Sequence, residues 1–168
     1  FDEGPASEPA AVANISALIE EGENTMTEFK STLRRNLHTD QNDAKMEHAV
    51  LKTVAGFLNS KGGGTLLIGV SDDGIALGIE ADSFPNEDKM YLHFTNLIKD
   101  PLGASHMLYI YPHFDEHDDK RVLVVECQPA RSPVYVKEGS EERFYIRSAA
   151  ATIELKGREA QDFIVQRF

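Results

Sequence analysis

Glycines punctuate one stretch of this chain so closely that they dictate its course: Lys61-Gly62-Gly63-Gly64-Thr65-Leu66-Leu67-Ile68-Gly69-Val70-Ser71-Asp72-Asp73-Gly74. Gly62 to Gly64 allow positive φ and a close approach of backbone to a neighbour or ligand. Thr65 to Val70 is apolar, rich in β-formers and bounded by turn residues, which predicts a central buried strand. A side chain just beyond such a strand is held at the carboxyl end of the sheet on a rigid element. Here it is a carboxylate, Asp72 or Asp73, so this is where a site would be built.

The surrounding pattern predicts an α+β domain with a mixed sheet and packed helices. Val12 to Glu21 has Ile15, Leu18 and Ile19 at helical spacing and stops at Gly22. Thr25 to Ser31 alternates as a strand, with Glu28 and Lys30 on one face. His38 to Asp43 reads as loop. Lys45 to Ser60 is the clearest helix, striped by Met46, Ala49, Val50, Val54, Phe57 and Leu58. After the central strand, Asp72-Asp73-Gly74 predicts a turn into Ile75 to Ile79 and a hairpin. Asn86 caps a second long helix striped by Met90, Leu92, Phe94, Leu97 and Ile98. His106 to Phe114 and Lys120 to Gln128 read as antiparallel strands joined by the acidic turn 115–119. Pro133 to Val136 and Arg143 to Arg147 read as two more strands. Gly157 to Arg167 reads as a final helix directing Ala160, Phe163, Ile164 and Phe168 to the core.

At 168 residues the chain is long enough for one packed core. Residues 1–10, with two prolines, small residues and acids, have the composition of a linker, leaving 11–168 as the domain. A start at Phe rather than Met suggests a segment of a larger protein. No apolar run approaches bilayer length and no cationic leader precedes one, so a soluble domain is expected. The single cysteine, Cys127, closes a hydrophobic strand; it reads as a core thiol in a reducing cytoplasm.

The residues now carry a resemblance. Glu23-x4-Glu28-Phe29-Lys30, a helix ending in Ala55-Gly56-Phe57-Leu58-Asn59-Ser60, and the Gly-Gly-Thr-Leu-Leu-Ile-Gly-Val-x-Asp-Asp-Gly run together resemble the AlbA_2 domain of the Schlafen family, which occurs in many bacterial proteins. Asn86-Glu87-Asp88-Lys89, Val122 to Cys127, Pro133-Val134-Tyr135-Val136 and Phe144-Tyr145-Ile146-Arg147-Ser148 followed by Thr152 fit in the same order. The resemblance runs from about Glu23 to Phe168. It implies the family's fold. Because the family spans ribonucleases and modules without proven activity, it implies either metal-dependent RNA cleavage or a non-catalytic role.

By that resemblance Glu23, Glu28 and Asp72 stand at the family's catalytic positions, with Asp73 the alternative third acid; Ser71 stands where many relatives carry another acid. Three carboxylates brought together cannot all stay ionised cheaply unless a cation sits among them, and oxygen ligands favour Mg²⁺ or Mn²⁺. The plainer account is that Glu28 forms an ordinary salt bridge with Lys30 or Arg147. Lys30, Arg34, Arg35 and Lys52 are candidates for a local basic patch, and Arg147 and Ser148 for phosphate contacts. A solvated face or a structural arginine explains them as well. A net charge of −11 supplies no general attraction to nucleic acid, so RNA or DNA binding should be weak and local.

Two other motifs are set aside. The glycine run is no phosphate-binding P-loop, because Lys61 precedes the glycines and a strand follows them. His113-x3-His117 among Asp115, Glu116, Asp118 and Asp119 has the parts of a metal site but reads as a solvated hairpin loop. The expected function is a nucleic-acid-directed module of a larger bacterial regulatory or defence protein. The alternative is a non-catalytic module that dimerises or binds another protein, its acidic surface serving solubility and partner choice.

Overall fold

The computed structural model describes residues 14–168; the linker reading of 1–10 and the predicted helix start at Val12 lie outside them. In chain order the elements are helix α1 (Ile15–Glu21), strands β1 (Thr27–Lys30), β2 (Arg35–Asn36) and β3 (Gln41–Asn42), helix α2 (Ala44–Asn59), strand β4 (Gly64–Ile68), helix α3 (Glu87–Leu102), strands β5 (Ile110–His117), β6 (Lys120–Cys127), β7 (Tyr135–Glu138), β8 (Glu141–Ser148) and β9 (Ala151–Leu155), and helix α4 (Gly157–Arg167). The first three helices start where a side chain satisfies an orphan amide: Asn14 accepts from Ser16, Asp43 from Lys45 and Asn86 from Lys89.

The main sheet has the order β1-β4-β6-β5, with β1 parallel to β4 and the other pairs antiparallel. It is the mixed sheet of an α+β domain. Its central strands are apolar on both faces because both are covered. Leu66, Ile68, Leu123 and Val125 join the larger core with Val50, Val54, Phe57, Met90, Phe94 and Ile98 of α2 and α3. Leu67, Val70, Val122 and Val124 point the other way and, with Phe29, are covered by Ile15 and Ile19 of α1. The second sheet, β7-β8-β9, packs against α2 closely enough that a Cβ at Gly56 would be in van der Waals contact, 3.4 Å from the Ile146 backbone.

Long-range polar contacts fix the loops. Asp82, buried in a short 3₁₀ turn, accepts the amides of Leu33 (2.7 Å), Arg34 (2.9 Å) and Arg35 (3.0 Å). That carboxylate ties the end of β1 to the segment preceding α3. Asp82→Asn replaces one acceptor oxygen with an amide donor facing a buried N–H, so we expect a loss of about 2 kcal/mol in denaturant unfolding. A loss near zero would show that the contact carries no load.

Several boundaries differ from expectation. Ile75 to Ile79 forms no hairpin strand: Val70 and Ala76 make a single bridge, because Gly69, Gly74 and Gly78, all at positive φ, curl the segment off the sheet. β5 starts at Ile110, the preceding 104–109 being 3₁₀. The acidic turn shrinks to Asp118-Asp119, both at positive φ, so His113 and His117 are strand residues rather than loop. His113 pairs with Glu126 (2.9 Å), and the Nδ1 of His117 meets Ser16 Oγ of α1 (2.8 Å). β2, β3 and β9 were not anticipated. Helix α4 spans the expected residues, yet none of its side chains is fully buried; Phe163 and Ile164 are half-buried and Phe168 is exposed. Leu92 of α3 is likewise exposed. Cys127 is a buried free thiol whose pKa is pushed up by burial. Among the described residues no helix is long and apolar enough to cross a membrane.

Candidate functional site: an acidic cluster braced by arginine

The glycine turn sets the site by bringing α2, β4 and β6 into contact. Gly63 has φ +68 and a Cβ there would lie 2.2 Å from the Cys127 carbonyl oxygen; at Gly64 it would lie 2.2 Å from the Phe57 ring. Both positions exclude any side chain. Ser60 closes the turn by donating to the Phe57 and Gly63 carbonyls. β4 then leaves the turn in parallel register with β1, Leu66 beside Glu28. Along β1, Thr27 and Phe29 are buried, while Glu28 and Lys30 face the side of α2 and β8.

Glu28 is held on two sides. Its Oε1 accepts from Arg147 Nη1 at 2.8 Å, and Lys30 Nζ lies 3.5 Å from its Oε2. The Arg147 side chain has no exposed surface. It also donates to the carbonyls of Asn24 (2.8 Å) and Thr25 (3.4 Å) and to Thr152 Oγ1 (3.2 Å), and its guanidinium stacks 4.7 Å from the Phe57 ring. Arg147 is therefore a brace between β8 and the chain entering β1. These partners match the structural role that was read for Arg147 beside a phosphate contact. Ser148 is exposed at the end of β8.

Glu23 follows Gly22, the C-cap of α1, and its Oε2 accepts the amide of Phe29 at 2.8 Å. Its pKa is raised, first by burial and then by the adjacent Glu28 carboxyl and the charge of Asp72, against the Phe29 amide, which lowers it. Asp72 and Asp73 sit side by side in the turn from Ser71 to Gly74. The turn is exposed, lies past the end of β4, and is capped by Ser71 Oγ accepting from Ile75 N.

The expected basic patch divides. Lys30 and Lys52 line a recess of about 180 Å³ with Glu28, Thr53 and Thr152. Arg34 and Arg35 are committed elsewhere: Arg34 donates to the carbonyls of Asp82 and Ser83 and lies over the Phe84 ring, and Arg35 binds Ala81, Asp40 and Ser83. No spacing rule in the sequence predicts these partners.

In kind, the acids suit a hard divalent cation. In arrangement, among the described residues no three His, Cys, Asp or Glu side chains are grouped so as to hold one, and Arg147 already takes one oxygen of Glu28. The crowding has a measurable consequence. Because the native pKa of Glu23 lies above its ordinary value, the folded state binds the extra proton, and this group's contribution to stability falls as pH rises through the interval between the two values. Glu23→Gln keeps the acceptor for Phe29 and removes the repulsion. It should melt above wild type at neutral pH, and the gain should vanish below the ordinary carboxylate range. A divalent ion that occupies the cluster should raise the Tm of wild type and leave the variant unmoved. A variant melting below wild type at neutral pH would refute the crowding.

A Schlafen AlbA_2 family model matches residues 23–156. Among solved structures, the crystal structure of the DIP2311 protein from Corynebacterium diphtheriae is similar at 19% identity with a TM-score of 0.56, covering 78% of this chain and 25% of that one. This chain therefore spans about a quarter of the length of that protein. The likeness is one of fold. No curated protein matches.

Proposed function

The chain belongs to the Schlafen AlbA_2 family, and on that premise we propose that it is a nucleic-acid-directed module of a larger, cytoplasmic protein, with divalent-metal-assisted RNA cleavage at Glu23, Glu28 and Asp72 as its chemistry. The observation that carries this reading is the placement of Glu23, held by the Phe29 amide beside Glu28 and near Asp72, where burial first and these neighbouring acids after it keep its carboxyl above the ordinary range. A bound Mg²⁺ or Mn²⁺ would relieve the repulsion among these acids, supply a Lewis acid for the phosphodiester and lower the pKa of a coordinated water. The protein's own part is positional. Phe29 N–H fixes Glu23, Arg147 fixes Glu28, and Lys30 and Lys52 stand beside the recess to meet a phosphate.

A second reading rests on a specific observation: Arg147 and Lys30 already neutralise Glu28, which suits a non-catalytic module that dimerises or binds another protein. The two separate in a titration of labelled structured RNA across salt concentrations, with and without Mn²⁺. The nuclease reading expects weak binding with a shallow salt slope, consistent with few phosphate contacts on a domain of net charge −11. Absence of binding at low salt, with or without the metal, would remove the nucleic-acid reading and leave the interaction module. Tight binding with a steep slope would show a basic surface that this reading denies.

A further inference from the structure

Beside the glycine turn, and separated from the acidic cluster by Arg147, lies a pocket of about 310 Å³ lined by Ser60, Lys61, Arg147, Phe163, Gln166 and Arg167. Its charge sets it apart in this acidic chain. The cleft between β8 and α4 contains Glu141, Glu142 and Glu154, the groove under α1 contains Glu21 and Glu126, and the Lys30 recess contains Glu28. Among the described residues no carboxylate lines this pocket. Arg167 donates through Nε to the carbonyl of Asn59 (2.9 Å) and through Nη2 to those of Ser60 (3.2 Å), Leu58 (3.4 Å) and Ala130 (2.8 Å), all neutral groups, and among the described residues its charge is paired with no carboxylate. Lys61 is exposed at the mouth. Phe163 adds a half-buried aromatic ring, steadied from behind by Phe144 at 5.8 Å, and Gln166 adds an exposed amide able to donate and accept.

We propose that this pocket binds one nucleotide of a single-stranded RNA, its phosphate at Lys61 under the field of Arg167, its base on Phe163 with Gln166 at the base edge. Cation plus aromatic platform is the combination by which single strands are held. Arg147 forms the pocket's inner wall and donates to Glu28 on its other side, so the strand would be held next to the acidic cluster. The proposal rests on the nucleic-acid reading above and adds a place and a polarity to it: the positive end of the site is the helix-to-strand turn and α4, not the Arg34–Arg35 segment.

The test is fluorescence anisotropy of a labelled oligouridylate with the intact chain at low salt. Lys61→Glu, at an exposed position, should weaken binding on the order of tenfold and lower the salt slope by about one, with Lys61→Arg restoring both. Phe163→Ala should weaken binding by a similar factor without changing the slope, since stacking carries no counterion term. Thermal melts confirm that each variant is folded; should Phe163→Ala not fold, Phe163→Leu replaces it. Lys137→Glu, on the exposed side of β7, should change nothing. Binding by wild type that is unaffected by Lys61→Glu and by the Phe163 variant would overturn the pocket and leave the proposed function standing. No binding of the oligouridylate by wild type would overturn the pocket, and the structured-RNA titration then decides the proposed function separately.

Discussion

Glu28→Gln should lower Mn²⁺-dependent cleavage of structured RNA by at least about a hundredfold, because it removes an anionic ligand while keeping the side chain's shape. Glu28 also anchors Arg147, so part of that loss could come from a loosened brace; Asp72→Asn resolves the ambiguity. Asp72 is exposed in the turn after β4 and its substitution leaves the core untouched, yet on the proposed chemistry it should cost as much activity. Asp118→Asn is the control: the residue is exposed at a β5–β6 turn position with φ +51, which asparagine tolerates, and activity should not change. Wild type inert with every divalent metal, or a Glu28→Gln variant as active as wild type, would end the enzymatic reading.

The largest stability effect should come from Arg147→Met. Methionine fills much of the volume against Phe57 but leaves Glu28 without its closest counter-charge and the Asn24 and Thr25 carbonyls without their donor. Removing one partner of a buried pair costs about 3–5 kcal/mol. Denaturant unfolding should show a midpoint shift of that size at unchanged m-value. Adding Glu28→Gln to Arg147→Met should recover part of the loss, since the stranded charge goes with it. If the double variant is no better than the single, the packing on Phe57 rather than the ion pair is what Arg147 contributes.

The elements with strong local signals were legible in the sequence. Asn86 and Gly22 mark helix ends, the stripe of 45–60 announces α2, and the apolar run after the glycines announces β4. The alternation of 25–31 placed Glu28 and Lys30 on one face, and the pairing of Glu28 with Lys30 or Arg147 was among the readings held open; the structure has both pairs. What escaped were contacts between segments far apart in the chain. Asp82 reaches Leu33 to Arg35 across nearly fifty residues, and Arg167 caps the end of α2 across more than a hundred; neither leaves a periodic trace. β9 was missed because Ala149 takes positive φ to make the preceding turn, a position where sequence rules look for glycine or asparagine. The continuation of β5 through 115–117 was missed because the β5–β6 ribbon runs past the core, where polar side chains no longer argue against a strand.

The family match opens at Glu23, one residue after the cap of α1, and closes at Lys156, one residue before α4. Both flanking helices nevertheless belong to the folded body: α1 roofs the face formed by Phe29, Leu67, Val70, Val122 and Val124, and α4 pins the end of α2 through Arg167. The cooperative unit is thus larger than the homologous one. A fragment trimmed to 23–156 would present a bare hydrophobic face to solvent, an invitation to aggregate, and would free the backbone leading into Glu23. The covering of one sheet face and the approach to the first acid therefore depend on helices outside the matched range.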